Sequence, residues 1–143
     1  DARLPGGALE LELTEDLFMA DPARARTAVR TLLDAGVSLV IDDYGTGYSS
    51  LSYLSRLPVH EIKIDRSFVS GMLGDGNDRI VVRSTIDLAR SLGLHVVAEG
   101  VEDGEQWDLL SSFGCRYVQG YHVGRPEPES EQLRRRLAVD GVR

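Results

Sequence analysis

Residues 40–50 read VIDDYGTGYSS, and this stretch determines how the rest of the sequence is interpreted. A mostly apolar run over residues 37–41 stops at two adjacent carboxylates, Asp42 and Asp43, and a loop with two glycines follows. A short apolar run that ends in acids is typical of a buried parallel strand. Two adjacent carboxylates repel each other unless a cation lies beside them or one of them keeps a proton. The loop after this strand is therefore the first candidate for a functional site, because α/β proteins carry their chemistry there.

Strands and helices alternate along the whole sequence. The apolar periodicity predicts strands over residues 8–15, 37–41, 61–64, 94–98 and 116–118. Helices are predicted to begin at Asp21-Pro22, at Ser49 or Ser50, at Asn77 or Asp78 and at Asp103, with a terminal helix over 131–137. Residues 67–76 contain three glycines and are predicted to form a loop. Since crossover helices join parallel strands, this order predicts an α/β fold with a parallel sheet.

Each predicted strand carries a polar residue at its carboxyl end. These residues are Glu12, Asp42, Lys63, Glu99 and Gln119. One such residue is commonly a helix cap, but five at the same edge of one sheet favour a shared site. The first strand leaves two interpretations open, because its alternation places Glu10, Glu12 and Thr14 together either on a solvated surface or on the inside of a barrel.

Lys63 is the single lysine among 16 lysine and arginine residues. A lysine is a compact point charge whose pKa can be tuned, whereas an arginine is a planar fork. One interpretation is an ordinary surface lysine in an arginine-rich chain. The other is an ammonium group that the predicted site requires among its acids.

Composition excludes several classes of protein. The formal net charge of −7 argues against a general nucleic-acid surface. No apolar run approaches the roughly 18 residues of a membrane span, and residues 1–7 have no signal-peptide character. The single Cys115 excludes an intrachain disulfide and fits a reducing compartment, which predicts a cytoplasmic protein. Cys115 itself is interpreted as a small buried hydrophobe.

Five segments resemble the motifs of the EAL-domain cyclic di-GMP phosphodiesterases, in the order of that family and over essentially the whole chain. They are ELTE at 12–15, DDYGTGYSS at 42–50, KID at 63–65, AEGVE at 98–102 and QGY at 119–121. The resemblance implies a parallel (β/α) barrel of TIM type. It also implies hydrolysis of the second messenger cyclic di-GMP to linear pGpG, by in-line attack of water at a site with two Mg²⁺ or Mn²⁺ ions. Carboxylates are the oxygen ligands that such hard cations prefer.

The resemblance also implies roles for individual residues. The implied metal ligands are Glu12, Asp42, Asp43 and Glu99, with Asp42 shared by both ions. Lys63 and Glu99 are the implied catalytic residues: Lys63 holds the attacking water, and Glu99 is also a candidate general base. The implied supporting or substrate-lining residues are Glu15, Asp65, Glu102 and Gln119.

Two departures from the family pattern stand out. Tyr44 occupies a loop position where phenylalanine is usual. The chain has five predicted strands, whereas a closed barrel needs eight strands and about 250 residues. Neither a Glu-Ala-Leu segment nor an asparagine on a strand is found, since the only asparagine is Asn77.

These departures predict that residues 1–143 are the C-terminal part of a single EAL-type domain. The first barrel strands are then absent, which leaves an incomplete barrel of about five β/α units. We expect such a chain to be inactive in isolation and to form a homodimer or pair with the missing N-terminal part, because an open sheet exposes its edges. Two alternatives remain: a non-catalytic EAL-like cyclic di-GMP receptor or protein-interaction module, and another metal-dependent barrel hydrolase.

Overall fold

A computed structural model describes residues 5–14, 22–46, 54 and 57–127 of the chain. Glu15, most of the predicted helix after Ser50 and the predicted terminal helix over 131–137 lie outside these residues. The described elements are, in order, β1 (Glu10–Thr14), α1 (Pro22–Asp34), β2 (Ser38–Tyr44), β3 (Glu61–Ile64), α2 (Arg66–Gly71), α3 (Gly76–Leu92), β4 (His95–Glu99), α4 (Gly104–Ser112) and β5 (Tyr117–Gln119).

The five strands form one parallel sheet in the order β1-β2-β3-β4-β5. The register places Thr14 beside Asp42, Lys63 beside Val97 and Glu99 beside Gln119. Sequential, parallel strand order with helical crossovers is the arrangement of a (β/α) barrel wall. The predicted fold class is therefore confirmed.

The two faces of the sheet differ in character because successive side chains point to opposite sides. One face carries apolar residues such as Leu39, Ile41, Ile62 and Ile64, which belong to the hydrophobic core beneath the helices. The opposite face carries Glu12, Asp42, Lys63, Glu99 and Gln119 at the alternate strand positions. The acids of β1 therefore lie on the same face as the other polar strand residues, as the barrel-lining interpretation of this strand predicts, and Glu10, Glu12 and Thr14 are exposed on that face.

The prediction of a loop over residues 67–76 is wrong for its first half, which forms α2. Asp65 caps this helix by accepting a hydrogen bond from the Ser67 backbone N–H at 3.0 Å. Val69 and Met72 are completely buried, and this burial stabilises a helix that the glycines made improbable. Gly71 lies close to the side chain of Asp78, since a Cβ at position 71 would lie 1.8 Å from a carboxylate oxygen of Asp78.

Element boundaries differ from the predictions by a few residues. Strand β2 continues past Ile41 to Tyr44, and α3 begins one or two residues early because Asp75 is its N-cap. Asp103 caps α4 as predicted, and Gly93 ends α3 in the left-handed conformation with φ of 73°. None of the helices in the described ranges combines the length and hydropathy needed to cross a bilayer. Cys115 is buried, in agreement with its interpretation as a small hydrophobe, and burial raises the pKa of its thiol.

Candidate active site

The centre of the site is the buried ammonium group of Lys63 on β3. Its Nζ donates hydrogen bonds to Glu12 Oε1 at 2.5 Å and to Glu99 Oε1 at 2.9 Å. The two carboxylates come from β1 and β4, which lie on opposite sides of β3 in the sheet. Lys63 is only 7% exposed, so the interpretation as an ordinary surface lysine is wrong. The sheet thus brings together three of the five residues predicted at the strand ends.

Lys63 remains charged in this environment. Burial alone would lower the pKa of its ammonium, because a low dielectric disfavours the charged form. The hydrogen bonds and negative charges of Glu12 and Glu99 outweigh burial and raise the pKa above the usual range for lysine. The site therefore holds a fixed positive charge between two carboxylates at neutral pH.

Asp42 and Asp43 lie at the carboxyl end of β2, where the pairing with β3 is irregular between Ile41 and Tyr44. One carboxylate oxygen of Asp42, Oδ1, is buried and has no hydrogen-bond partner among the described residues. Asp43 adopts a positive φ of 53°, which is uncommon for a residue with a side chain. Such backbone strain concentrates at functional sites.

The carboxyl group of Asp43 has a raised pKa. Burial is the largest cause, and the negative charges of Asp42, Asp65 and Glu99 add to it. A hydrogen bond with Asp65 contributes in the same direction. Four acids therefore interact electrostatically at this edge, and their mutual repulsion would be relieved by a cation.

Three of the four predicted supporting residues, Asp65, Glu102 and Gln119, occupy the same edge of the sheet but differ in their contacts. Asp65 accepts hydrogen bonds from the backbone N–H and the hydroxyl of Ser67, and these bonds hold the pKa of Asp65 below its usual value against the effect of burial. Gln119 pairs in register with Glu99 and its side chain is exposed. Glu102 is also exposed and lies in the turn that follows β4. Glu15 is outside the described residues.

Two polar contacts were not predicted as functional. Gln106 lies in the first turn of α4, and its side-chain carbonyl accepts a hydrogen bond from the Glu102 N–H at 2.7 Å. Its proximity to the AEGVE segment was the signal that could have identified it. His60 Nε2 lies 3.1 Å from Glu10 Oε2 at the amino end of the strands, and no sequence pattern indicated that pair.

The carboxylate oxygens of the acids at this edge of the sheet are suitable ligands for divalent metal ions. Among the described residues, no three Asp, Glu, His or Cys side chains stand close enough to form a finished metal cage. The unpartnered Oδ1 of Asp42 and the crowding around Asp43 are nevertheless what cation-binding carboxylates show in the absence of their ion. Asp42, Asp43, Glu12 and Glu99 all supply oxygen donors, which Mg²⁺ and Mn²⁺ prefer.

Comparison with known proteins places this geometry in context. The EAL domain family model matches residues 1–126. The bifunctional diguanylate cyclase/cyclic di-GMP phosphodiesterase MucR of Pseudomonas aeruginosa is 46% identical over 125 residues, which cover 87% of this chain and 18% of that protein. The chain therefore spans less than a fifth of the length of that relative.

Solved structures agree with this comparison. A complex of the MucR phosphodiesterase with c-di-GMP superimposes with a TM-score of 0.86 at 45% identity, covering 91% of this chain and 52% of that chain. A manganese and c-di-GMP complex of Klebsiella pneumoniae BlrP1 superimposes with a TM-score of 0.76 at 37% identity, covering 82% of this chain and 30% of that chain. The similarity thus extends over most of the present chain and part of each neighbour.

Proposed function

Because the chain belongs to the EAL-domain family, we propose that it supplies most of the active site of a cyclic di-GMP phosphodiesterase. The observation that carries this proposal is the buried Lys63, which joins Glu12 and Glu99 beside the crowded Asp42 and Asp43. The relatives named as cyclic di-GMP phosphodiesterases and the c-di-GMP complex of MucR support the choice of substrate. The product of the proposed reaction is linear pGpG.

In this proposal, Glu12, Asp42, Asp43 and Glu99 hold two Mg²⁺ or Mn²⁺ ions. When bound, such ions supply Lewis acidity that generates a hydroxide nucleophile near neutral pH and neutralises a phosphodiester. The manganese complex of BlrP1 supports this choice of metal. Asp42 contributes the oxygen that has no partner among the described residues, and it is the residue proposed to be shared.

Lys63 positions the attacking water and stabilises negative charge as it develops on the phosphodiester. An ammonium has three N–H donors, and Glu12 and Glu99 occupy two of them among the described residues. The third donor is available to a water or a phosphate oxygen. A preorganised donor in a buried site is worth more than the same donor in water. Glu99, held by Lys63, is the proposed acceptor of the proton from that water.

The remaining proposed roles surround these groups. Asp65, Glu102 and Gln119 support the site or line the substrate, and Glu15 braces the Asp42-Asp43 loop. We further propose that residues 1–143 are the C-terminal part of one EAL-type domain in a cytoplasmic protein. In that arrangement β1 or β5 pairs with the N-terminal part of the domain or with a second copy, since each has one strand neighbour among the described residues.

The test is hydrolysis of cyclic di-GMP by the complete protein that contains this chain, measured as pGpG formed at saturating Mn²⁺. Lys63→Met and Asp42→Ala should each abolish turnover, because one removes the water-positioning donor and the other the shared metal ligand. Arg30→Met, which removes an exposed charge on α1, is the control and should retain activity. The 143 residues alone should show negligible activity. Normal hydrolysis by Lys63→Met would refute the assignment.

One observation favours a second candidate, a non-catalytic receptor for cyclic di-GMP. The single ammonium of Lys63 pairs with both Glu12 and Glu99, so these two acids are held in place by a protein group alone. This candidate predicts binding of cyclic di-GMP in EDTA by the complete protein, with no pGpG produced after Mn²⁺ is added. The phosphodiesterase proposal predicts pGpG under the same conditions.

A further inference from the structure

The turn after β4, residues 100–103, is bound to the neighbouring loop by its backbone. The Val101 N–H donates to the Gln119 carbonyl at 3.1 Å, and the Val101 carbonyl accepts from the His122 N–H at 2.9 Å. The Val101 side chain is completely buried. The backbone N–H and carbonyl of Val101 are therefore both hydrogen-bonded to the segment that runs from Gln119 to His122.

Two glycines allow close packing around this turn. A Cβ on Gly100 would lie 2.5 Å from the Arg66 Cβ, and Gly100 has a φ of 70°. A Cβ on Gly120 would lie 2.2 Å from the Val101 carbonyl oxygen. The turn is thus enclosed between the segments that follow β3 and β5, and it has little room to shift while these contacts hold.

Gln106 closes the remaining side of the turn. It is 6% exposed and lies in the first turn of α4. The side-chain Oε1 of Gln106 accepts a hydrogen bond from the Glu102 backbone N–H at 2.7 Å. The backbone N–H of Gln106 donates to the Asp103 carboxylate at 2.8 Å. A buried amide is costly unless it is hydrogen-bonded, and the bond from the Glu102 N–H offsets part of this cost.

We propose that Gln106 is a positioning residue for Glu99 and Glu102, an inference that rests on the proposed function. Glu99 is the last residue of β4, and its carboxylate reaches Lys63 at 2.9 Å. Loss of the Gln106 acceptor leaves the part-buried Glu102 N–H to be satisfied by water, and the turn then loses the bond that ties it to α4. Movement of the turn displaces the carboxylates of Glu99, which precedes it, and of Glu102, which lies within it. A displacement of about 1 Å at a reacting centre can cost on the order of 10²-fold in rate.

The experiment compares three variants of the complete protein that contains this chain. Gln106→Met keeps the length of the side chain and removes the acceptor, whereas Gln106→Glu keeps an acceptor at the same position. Asp75→Ala is the matched control, because it removes the N-cap of α3, where the Asp75 carboxylate accepts from the Asn77 N–H at 2.8 Å, and it leaves α4 and the turn after β4 unchanged. The readouts are hydrogen exchange of the Glu102 amide without metal, Mn²⁺ affinity by calorimetry, and kcat and KM for cyclic di-GMP.

Gln106→Met should increase Glu102 amide exchange at least about 10-fold and weaken Mn²⁺ binding about 10- to 100-fold. It should lower kcat more than it changes KM. Gln106→Glu should keep all three readouts close to wild type, and Asp75→Ala should lower thermal stability while Mn²⁺ affinity stays within about twofold of wild type. The proposal is overturned if Gln106→Met and Asp75→Ala have the same Mn²⁺ affinity and kcat.

The readouts also separate this proposal from the proposed function. Absence of turnover in the wild type refutes the phosphodiesterase, but the exchange and Mn²⁺ measurements still test Gln106. Should Gln106→Met not fold, Gln106→Asn tests the same hydrogen bond with an amide one methylene shorter. Unchanged Glu102 exchange and Mn²⁺ affinity in Gln106→Asn would then overturn the positioning role.

Discussion

Replacing Lys63 by methionine should destabilise the metal-free protein by about 2–3 kcal/mol at neutral pH. Each charge-assisted hydrogen bond of a buried group contributes roughly 1.5–3 kcal/mol. The side chain of Glu12 is 47% exposed and regains hydration when it loses Lys63, whereas Glu99 is 21% exposed and regains less. The expected loss therefore lies below the roughly 3–5 kcal/mol of a fully buried pair.

Urea denaturation in EDTA measures this difference, with Arg30→Met as the control. Arg30 is exposed on α1, so its replacement should change the free energy of unfolding by less than about 0.5 kcal/mol. The hydrogen bonds and charges that hold the pKa of Lys63 above its ordinary value stabilise the fold from neutral pH up to that ordinary value, which is about 10.4. The contribution is lost only as pH rises through the folded-state pKa.

The difference between wild type and Lys63→Met should accordingly stay constant from roughly pH 7 to pH 9 and shrink above roughly pH 10. Equal unfolding free energies for Lys63→Met and Arg30→Met would refute the reasoning. Such a result would mean that the ion pairs of Lys63 with Glu12 and Glu99 do not form in solution, and the geometry that supports the proposed catalytic role would fail with them.

Two further predictions concern other parts of the sheet. Burial and the neighbouring Glu10 raise the pKa of Glu61, so its ionised form destabilises the fold above the folded-state pKa. Glu61→Gln should therefore raise the free energy of unfolding at neutral pH, with the gain vanishing as pH falls to the ordinary glutamate value of about 4.3; a loss of stability at neutral pH would contradict this. Gly120→Ala should destabilise by about 3 kcal/mol because its Cβ would meet the Val101 backbone at 2.2 Å. Gly76→Ala is the control, because nothing lies within 4 Å of the new Cβ, and it should be neutral or stabilising by up to about 1 kcal/mol. Similar urea midpoints for Gly120→Ala and Gly76→Ala would contradict the close packing of Gly120.

Much of the fold could be predicted because its signals are local. Alternation of apolar and acidic residues identified β1, and apolar runs ending in polar residues identified the other four strands of the described residues. Asp103 and Gly93 marked the start of α4 and the end of α3. Helix capping and apolar periodicity depend on residues that are close together in the sequence, so both can be recognised in a single sequence. The helix α2 was missed because the burial of Val69 and Met72 against distant elements outweighs the glycines nearby.

The candidate site also has some features that could be predicted from the sequence and others that could not. Its residues could be named from the sequence, because each stands at or near the carboxyl end of a predicted strand. Their contacts could not, since Lys63 reaches Glu12 across the whole of β2, and that distance depends on the register and curvature of the sheet. The unpartnered oxygen of Asp42, the positive φ of Asp43 and the bond from Gln106 to the Glu102 N–H are also products of packing.

The amino-acid sequence by itself therefore determined the five strands of the described residues, their parallel arrangement, the start of α4 and the end of α3, and the set of acids that accompanies one lysine. Only the tertiary structure decided that this lysine is buried, which two carboxylates it binds and how the turn after β4 is held. The physical reason is that hydrophobic periodicity and capping are properties of neighbouring residues. Distances between side chains on separate strands arise only when the sheet has assembled with its final register and twist.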